Sequence, residues 1–156
     1  MADLIAALQD QERRLVFTRF DNTDAWRLGC ALVELATQRA LPVAVDIRRG
    51  AQQLFHAALP GSCADNDAWI VRKVRVVERF AASSYLVGRR LADDGKELGA
   101  GHGVDPADYA PHGGAFPVRV RDVGVVGVVA VSGLPQADDH ALVAEAIVAH
   151  LTGTLG

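Results

Sequence analysis

His112-Gly113-Gly114-Ala115-Phe116-Pro117-Val118-Arg119-Val120-Arg121 runs into Asp122-Val123-Gly124, and then into Val125-Val126-Gly127-Val128-Val129-Ala130-Val131-Ser132-Gly133-Leu134-Pro135. The first part alternates apolar and charged residues from Ala115 to Arg121, the pattern of a half-buried strand. Asp122-Val123-Gly124 supplies a turn. Val125 to Val131 is a continuous β-branched run, which suits a central strand covered on both faces. Gly127 inside that run implies the close approach of a neighbouring group. Ser132-Gly133-Leu134-Pro135 ends the strand, and Gln136 to Leu151 reads as a closing helix. Asp138 and Asp139 then lie near its positive end, as capping carboxylates do.

Outward from this hairpin, the rest of the chain alternates helices and strands. Leu4, Ile5, Leu8 and Glu12 fall at helical spacing behind an Asp3 cap. Leu15 to Phe20 reads as a strand rich in β-formers. Asn22-Thr23-Asp24 offers caps for a helix carrying Ala25, Leu28, Leu32, Leu35 and Ala36, which ends before Leu41-Pro42. Pro42 to Arg48 and Gln52 to Ala57 are two further strands joined through Arg49-Gly50. Asp65-Asn66-Asp67 opens a long helix whose Ile70, Val74, Val77 and Ala81 share a face. Ser83-Ser84 either breaks or continues it, Leu86 to Ala92 is helical again, and Asp94-Gly95 is a stop. Gly95 to Gly114 has little hydrophobic period, and such long irregular segments are often functional or mobile.

Composition sets outer limits. With 156 residues, half of them apolar and 22% charged, the chain is expected to form one soluble domain over residues 1–156. A formal net charge of −3 gives no overall attraction to nucleic acid or to an acidic membrane surface. No apolar run approaches the ~20 residues that span a bilayer. The start, Met1-Ala2-Asp3-Leu4-Ile5, has no basic region, so no signal peptide and a cytoplasmic location are expected. Cys30 and Cys63 belong to no ligand-type spacing and are expected to be free thiols, buried or incidental.

The combination of Asn66-Asp67-Ala68-Trp69-Ile70-Val71-Arg72-Lys73, Phe80-Ala81-Ala82-Ser83-Ser84, His112-Gly113-Gly114-Ala115-Phe116-Pro117, Val131-Ser132-Gly133-Leu134-Pro135-Gln136 and Asp139-His140 resembles the haem-degrading-domain family (GlcG/HbpS-like), in an uncharacterised branch. The resemblance implies an α+β fold with a profilin-like, five-stranded antiparallel sheet flanked by helices in three layers. It also implies homo-oligomers built from dimers, and makes haem a possible ligand. Ala130 and Leu134 stand where the wider family often has Gly, and that family's haem-handling residues have no clean match here.

No motif assigns a reaction, so the catalytic residues stay unknown. The five histidines form no HExxH or other short ligand pair, and no metal site is expected. Gly99-Ala100-Gly101-His102-Gly103 fails the spacing of a dinucleotide loop. Ala130 stands where a nucleophile elbow at Ser132 requires Gly. What remains is a candidate ligand site made of Trp69, Arg72, Lys73, His112, Gly113 and Gly114. Trp69 would supply stacking area, and Arg72 or Lys73 would neutralise an acidic group. Arg72, Arg75 and Arg79 share one helix flank, either as an anion site or as a solvated basic face paired with Glu78 or another subunit. The expected function is an oligomeric binder of haem or another small acidic or planar ligand. The alternative is a non-enzymatic scaffold that binds proteins through Trp69, Ile70 and Phe80.

Overall fold

A computed structural model describes residues 1–153, so the last three residues of the expected 1–156 domain lie outside the described part. Its elements are α1 (Ala2–Arg14), α2 (Asn22–Gln38), β1 (Ala44–Arg49), β2 (Gln52–Ala58), α3 (Ala64–Phe80), α4 (Ser84–Asp93), β3 (Ala115–Val120), β4 (Gly124–Ser132) and α5 (Gln136–Thr152), with a 3-10 turn at Ala100–His102. The strands form an antiparallel sheet in the order β2-β1-β4-β3. β4 is central, as its apolar run requires. Gly127 lies opposite Val118 in the β3 register. A Cβ there would stand 2.6 Å from the Arg48 carbonyl oxygen, so the expected close approach is real.

Two-residue periodicity sorts the sheet into two faces. Val45, Ile47, Phe116, Val118, Val129 and Val131 pack with Leu28 and Leu32 of α2 and with Val143 and Ile147 of α5. The opposite face offers Ala44, Ala115, Val128 and Ala130 to Ile70, Val74 and Val77 of α3. Three alanines on that face leave room for the α3 helix against the strands. Burying each large aliphatic side chain contributes roughly 1.5–3 kcal/mol. A third cluster joins Leu8 of α1 to Leu86 and Val87 of α4, with Leu98 and Val104 from the long connection.

Several expectations need correction. The sheet has four strands rather than five. Leu15 to Phe20 contributes a single parallel bridge, Phe17 to Val120, in which Phe17 N–H donates to the Arg119 carbonyl at 2.8 Å. Only six residues separate Arg14, the end of α1, from Asp21, the cap of α2, so the chain must turn away after one pairing. Helix α1 begins at Ala2, with Met1 and not Asp3 at the cap position. Ala81 is not on the α3 face: at φ 53° it is the left-handed residue that stops the helix. Ser83 then accepts from Leu86 N–H at 3.1 Å and starts α4. Both cysteines are free and exposed.

Candidate functional site

The α3 helix carries Trp69 and Lys73 one turn apart, so both reach the same surface. Across from them, the strand entry His112-Gly113-Gly114 and the β4–α5 turn close a cleft of about 440 Å³. Its lining includes Asp65, Asn66, Trp69, Lys73, His112, Ser132, Gly133, Leu134, Gln136 and Asp139. That volume lies within the range of small-molecule sites.

At one wall, Lys73 and Asp139 form a buried ion pair, Nζ to Oδ2 at 3.1 Å. Nζ also donates to the Val131 carbonyl at 3.3 Å, and Asp139 Oδ1 accepts from Leu134 N–H at 3.0 Å. The two side chains are 4% and 2% exposed, so neither charge has water to stabilise it. Burial pushes the Lys73 amine below its ordinary range, while the Asp139 charge opposes that change. Burial likewise raises the Asp139 carboxyl, against the pull of Lys73.

Gly114 makes this pair possible. It sits at φ 138°, and a Cβ would stand 2.3 Å from the Val131 oxygen and 2.7 Å from Lys73 Nζ. Gly113 is equally constrained: its N–H donates to Gln136 Oε1 at 3.0 Å, and a Cβ would meet the Gln136 carbonyl at 2.1 Å. The two glycines thus let the strand entry pack tightly against Gln136, Val131 and Lys73.

At the mouth, the rings of Trp69 and His112 are tilted against each other, with centroids 5.6 Å and planes 60° apart. Partial burial, helped by the charges of Lys73, Arg72 and Arg89, lowers the His112 pKa. Arg72 lies over the Trp69 ring, its guanidinium carbon 4.7 Å from the centroid. Its Nη2 donates to the Pro106 carbonyl at 3.1 Å.

Of the sequence-predicted residues, Trp69, Lys73 and His112 line this cleft; Gly113 and Gly114 pack beside it without lining it, and Arg72 lies over Trp69. Lys73 is already paired with Asp139. The arginine flank has a partner that neither sequence-based alternative names, the main chain of the long connection. Arg75 Nη1 donates to the Asp108 carbonyl at 3.2 Å, and Arg79 Nη2 to the His102 carbonyl at 3.0 Å. Gly95 to Gly114 is in this way fastened along α3. Of the other two candidates for protein contact, Ile70 is core, at 1% exposure, and Phe80 is half-buried beside the α1–α4 cluster.

Sequence reading missed Asp139 as a partner of Lys73, and missed Asp65, Asn66, Ser132 and Gln136 as lining. The Gln136 signal was present in the Val-Ser-Gly-Leu-Pro-Gln block. Nothing local could pair Lys73 with a residue 66 positions away.

An antiparallel sheet flanked by helices, with a cleft between helix α3, the strand entry at His112 and the β4–α5 turn, defines a small α+β fold. The profile of the haem degrading protein HbpS-like family matches residues 20–148, and the chain belongs to that family. A UPF0303 protein of Streptomyces coelicolor is 62% identical over 146 residues, covering 94% of this chain and 92% of that protein. One from Acidobacterium capsulatum is 48% identical over 153 residues, covering 98% and 92%. Among solved structures, Ybr137w superposes with a TM-score of 0.86 at 30% identity, over 97% of this chain and 90% of that one. The PduOC:heme complex gives a TM-score of 0.70 at 20% identity, covering 83% and 94%, which shows likeness of fold.

Proposed function

We propose that this protein binds a small planar ligand in the Trp69–His112 cleft. The observation that carries the reading is the tilted pair of aromatic rings, Trp69 and His112, at the mouth of a cleft whose inner charges compensate each other. Flat ring systems gain stacking area from such faces, and Asn66, Ser132 and Gln136 offer polar groups for orientation. Haem is the first ligand to test, because of the family and because a neighbour of the same fold is a haem complex. The residues suit its ring better than its propionates: Lys73 is held by Asp139 and the Val131 carbonyl, and Arg72 by Pro106 and Trp69. Haem would bind here through ring contact rather than through a lysine clamp.

The test is haem titration followed by visible spectroscopy, with native mass spectrometry of the purified protein for any retained ligand. A Soret shift that weakens in Trp69→Ala and His112→Ala supports haem binding at this cleft. An unchanged Soret band together with no retained small molecule defeats the reading.

A second reading, an oligomeric protein-interaction scaffold, is favoured by Trp26. It is 62% exposed beside a groove of about 810 Å³ between α2 and α5, where exposed aromatics commonly anchor partners. A homo-oligomer built from dimers through this face would lose mass in analytical ultracentrifugation on Trp26→Glu. An unchanged mass removes Trp26 from any such contact.

A further inference from the structure

We propose that Lys73 is a carbonyl-capturing amine, which forms a Schiff base with a small aldehyde carried on a planar ring. The proposal rests on the planar-ligand reading of the cleft for its choice of ring, and on the buried pair for its chemistry.

The chain has two lysines, Lys73 and Lys96, against fourteen arginines. Most of its other ion pairs use arginine, as in Arg39–Glu145, a two-pronged contact with both distances 2.7 Å. Lysine in the one buried, cleft-lining pair is a departure with a chemical meaning, because an amine can lose its proton and attack while a guanidinium cannot. The surroundings favour that loss. Nζ is held 3.1 Å from a carboxylate oxygen that is itself buried, so the proton has a short route from Nζ to Oδ2. A neutral amine beside a neutral carboxylic acid replaces two desolvated charges. Access comes from the cleft, whose lining includes both Lys73 and Asp139, while Gly114 lets the main chain pack closely against Nζ.

The step balances with the groups present. The free Lys73 amine attacks the aldehyde carbon, forming a C–N bond and a carbinolamine. The Asp139 carboxyl, holding the proton it received, protonates the carbinolamine hydroxyl. Water leaves, the nitrogen lone pair closes the C=N bond, and the resulting iminium pairs with the Asp139 carboxylate. No oxidant or reductant takes part. Trp69 and His112 would lie along the ring that bears the aldehyde.

The probe is 4-hydroxybenzaldehyde added to the purified full-length protein, with sodium borohydride to reduce any imine to a stable secondary amine. Peptide mapping by mass spectrometry reads the site. The expected result is labelling of Lys73 several-fold over Lys96. Asp139→Asn removes the acid that expels water and should slow the Lys73 label, and Lys73→Arg should remove it. Labelling of Lys96 and the N-terminal amine with Lys73 unmodified overturns the proposal in the wild-type protein itself, whatever the variants do. Quenching of Trp69 fluorescence by the aldehyde, in a Trp26→Phe background without reductant, separates binding from chemistry. Quenching with no Lys73 adduct overturns the amine proposal and leaves the planar-ligand reading standing. Neither quenching nor adduct overturns the amine proposal and counts against the cleft as a site for this ring class.

Discussion

Arg72 is shared between Trp69 and Pro106: its guanidinium lies over the indole while one nitrogen holds the Pro106 carbonyl. A single side chain thus couples the ring at the mouth of the cleft to the connection between α4 and β3. The Arg72 carbonyl also accepts from Ala110 N–H at 3.1 Å, which ties the same segment a second time.

Arg72→Ala should therefore loosen the connection before it affects the core. Hydrogen exchange of amides between residues 104 and 110 is expected to quicken, with the β4 amides unchanged. Arg72→Lys should restore charge but not the planar stack, and so recover only part of the protection. Equal exchange in wild type and Arg72→Ala would show that the clamp contributes nothing to order.

Gly114→Ala is expected to be among the most damaging single-methyl additions. Its φ of 138° disfavours any Cβ, and the added carbon would press on the Val131 oxygen and Lys73 Nζ. Backbone strain and overpacking together predict a loss of about 3 kcal/mol in denaturant unfolding. The contrast is Gly95→Ala, also at positive φ (65°) but with nothing within 4 Å of the added carbon, which should cost about 1 kcal/mol. Similar losses at the two positions would contradict the steric account.

Gly29→Ala tests the other face of the sheet. Helix propensity alone predicts a gain of about 1 kcal/mol for Gly to Ala. The new Cβ, however, would stand 2.3 Å from the Phe55 ring, which packs edge-on with Trp26. The expected outcome is a net loss of about 1–2 kcal/mol from overpacking, with a change in near-ultraviolet dichroism as Trp26 and Phe55 shift.

Acid should expose the role of His140. Its ring is buried between Tyr85 and Phe116, and with Gln11 Oε1 accepting at 2.7 Å the proton sits on Nε2. Burial pushes its pKa down to about 4, so the unfolded chain binds a proton that the native state refuses. The stability this gives is complete above about 6.5 and is lost as pH falls toward 4, by up to about 3 kcal/mol. Glu12 and Asp139 work in the opposite direction: burial raises both, so their contributions are present at low pH and fade as pH rises through their native values. Comparison with His140→Phe isolates the histidine. That variant should lose about 1 kcal/mol at neutral pH for the unpaired Gln11, and show a shallower acid slope between pH 6.5 and 4.

How much of this was legible depended on the distance over which each feature is encoded. The β3–β4 hairpin was readable because alternation, a turn and a β-branched run are all local. The parallel bridge of Phe17 was over-read as a strand, since propensity carries no information about how soon the neighbouring helices claim the chain. The arginine flank of α3 was visible by spacing, but its partners are carbonyl oxygens, which every residue type possesses. Trp69 and His112 could be nominated together from the resemblance alone. The Lys73–Asp139 pair depends on how α3 and α5 are set around the sheet, and no short window of sequence contains that placement.

The three arginine contacts along α3 all end on main-chain oxygens, those of His102, Pro106 and Asp108. Attachment of this kind is indifferent to what the attached residues are. Between the clamps, Asp105 accepts from Ala107 N–H and Tyr109 packs against the α1–α4 cluster, so the exposed position 107 is the one open to exchange. The connection is thereby moored by its backbone, so a new side chain at an exposed position such as 107 would leave the mooring in place.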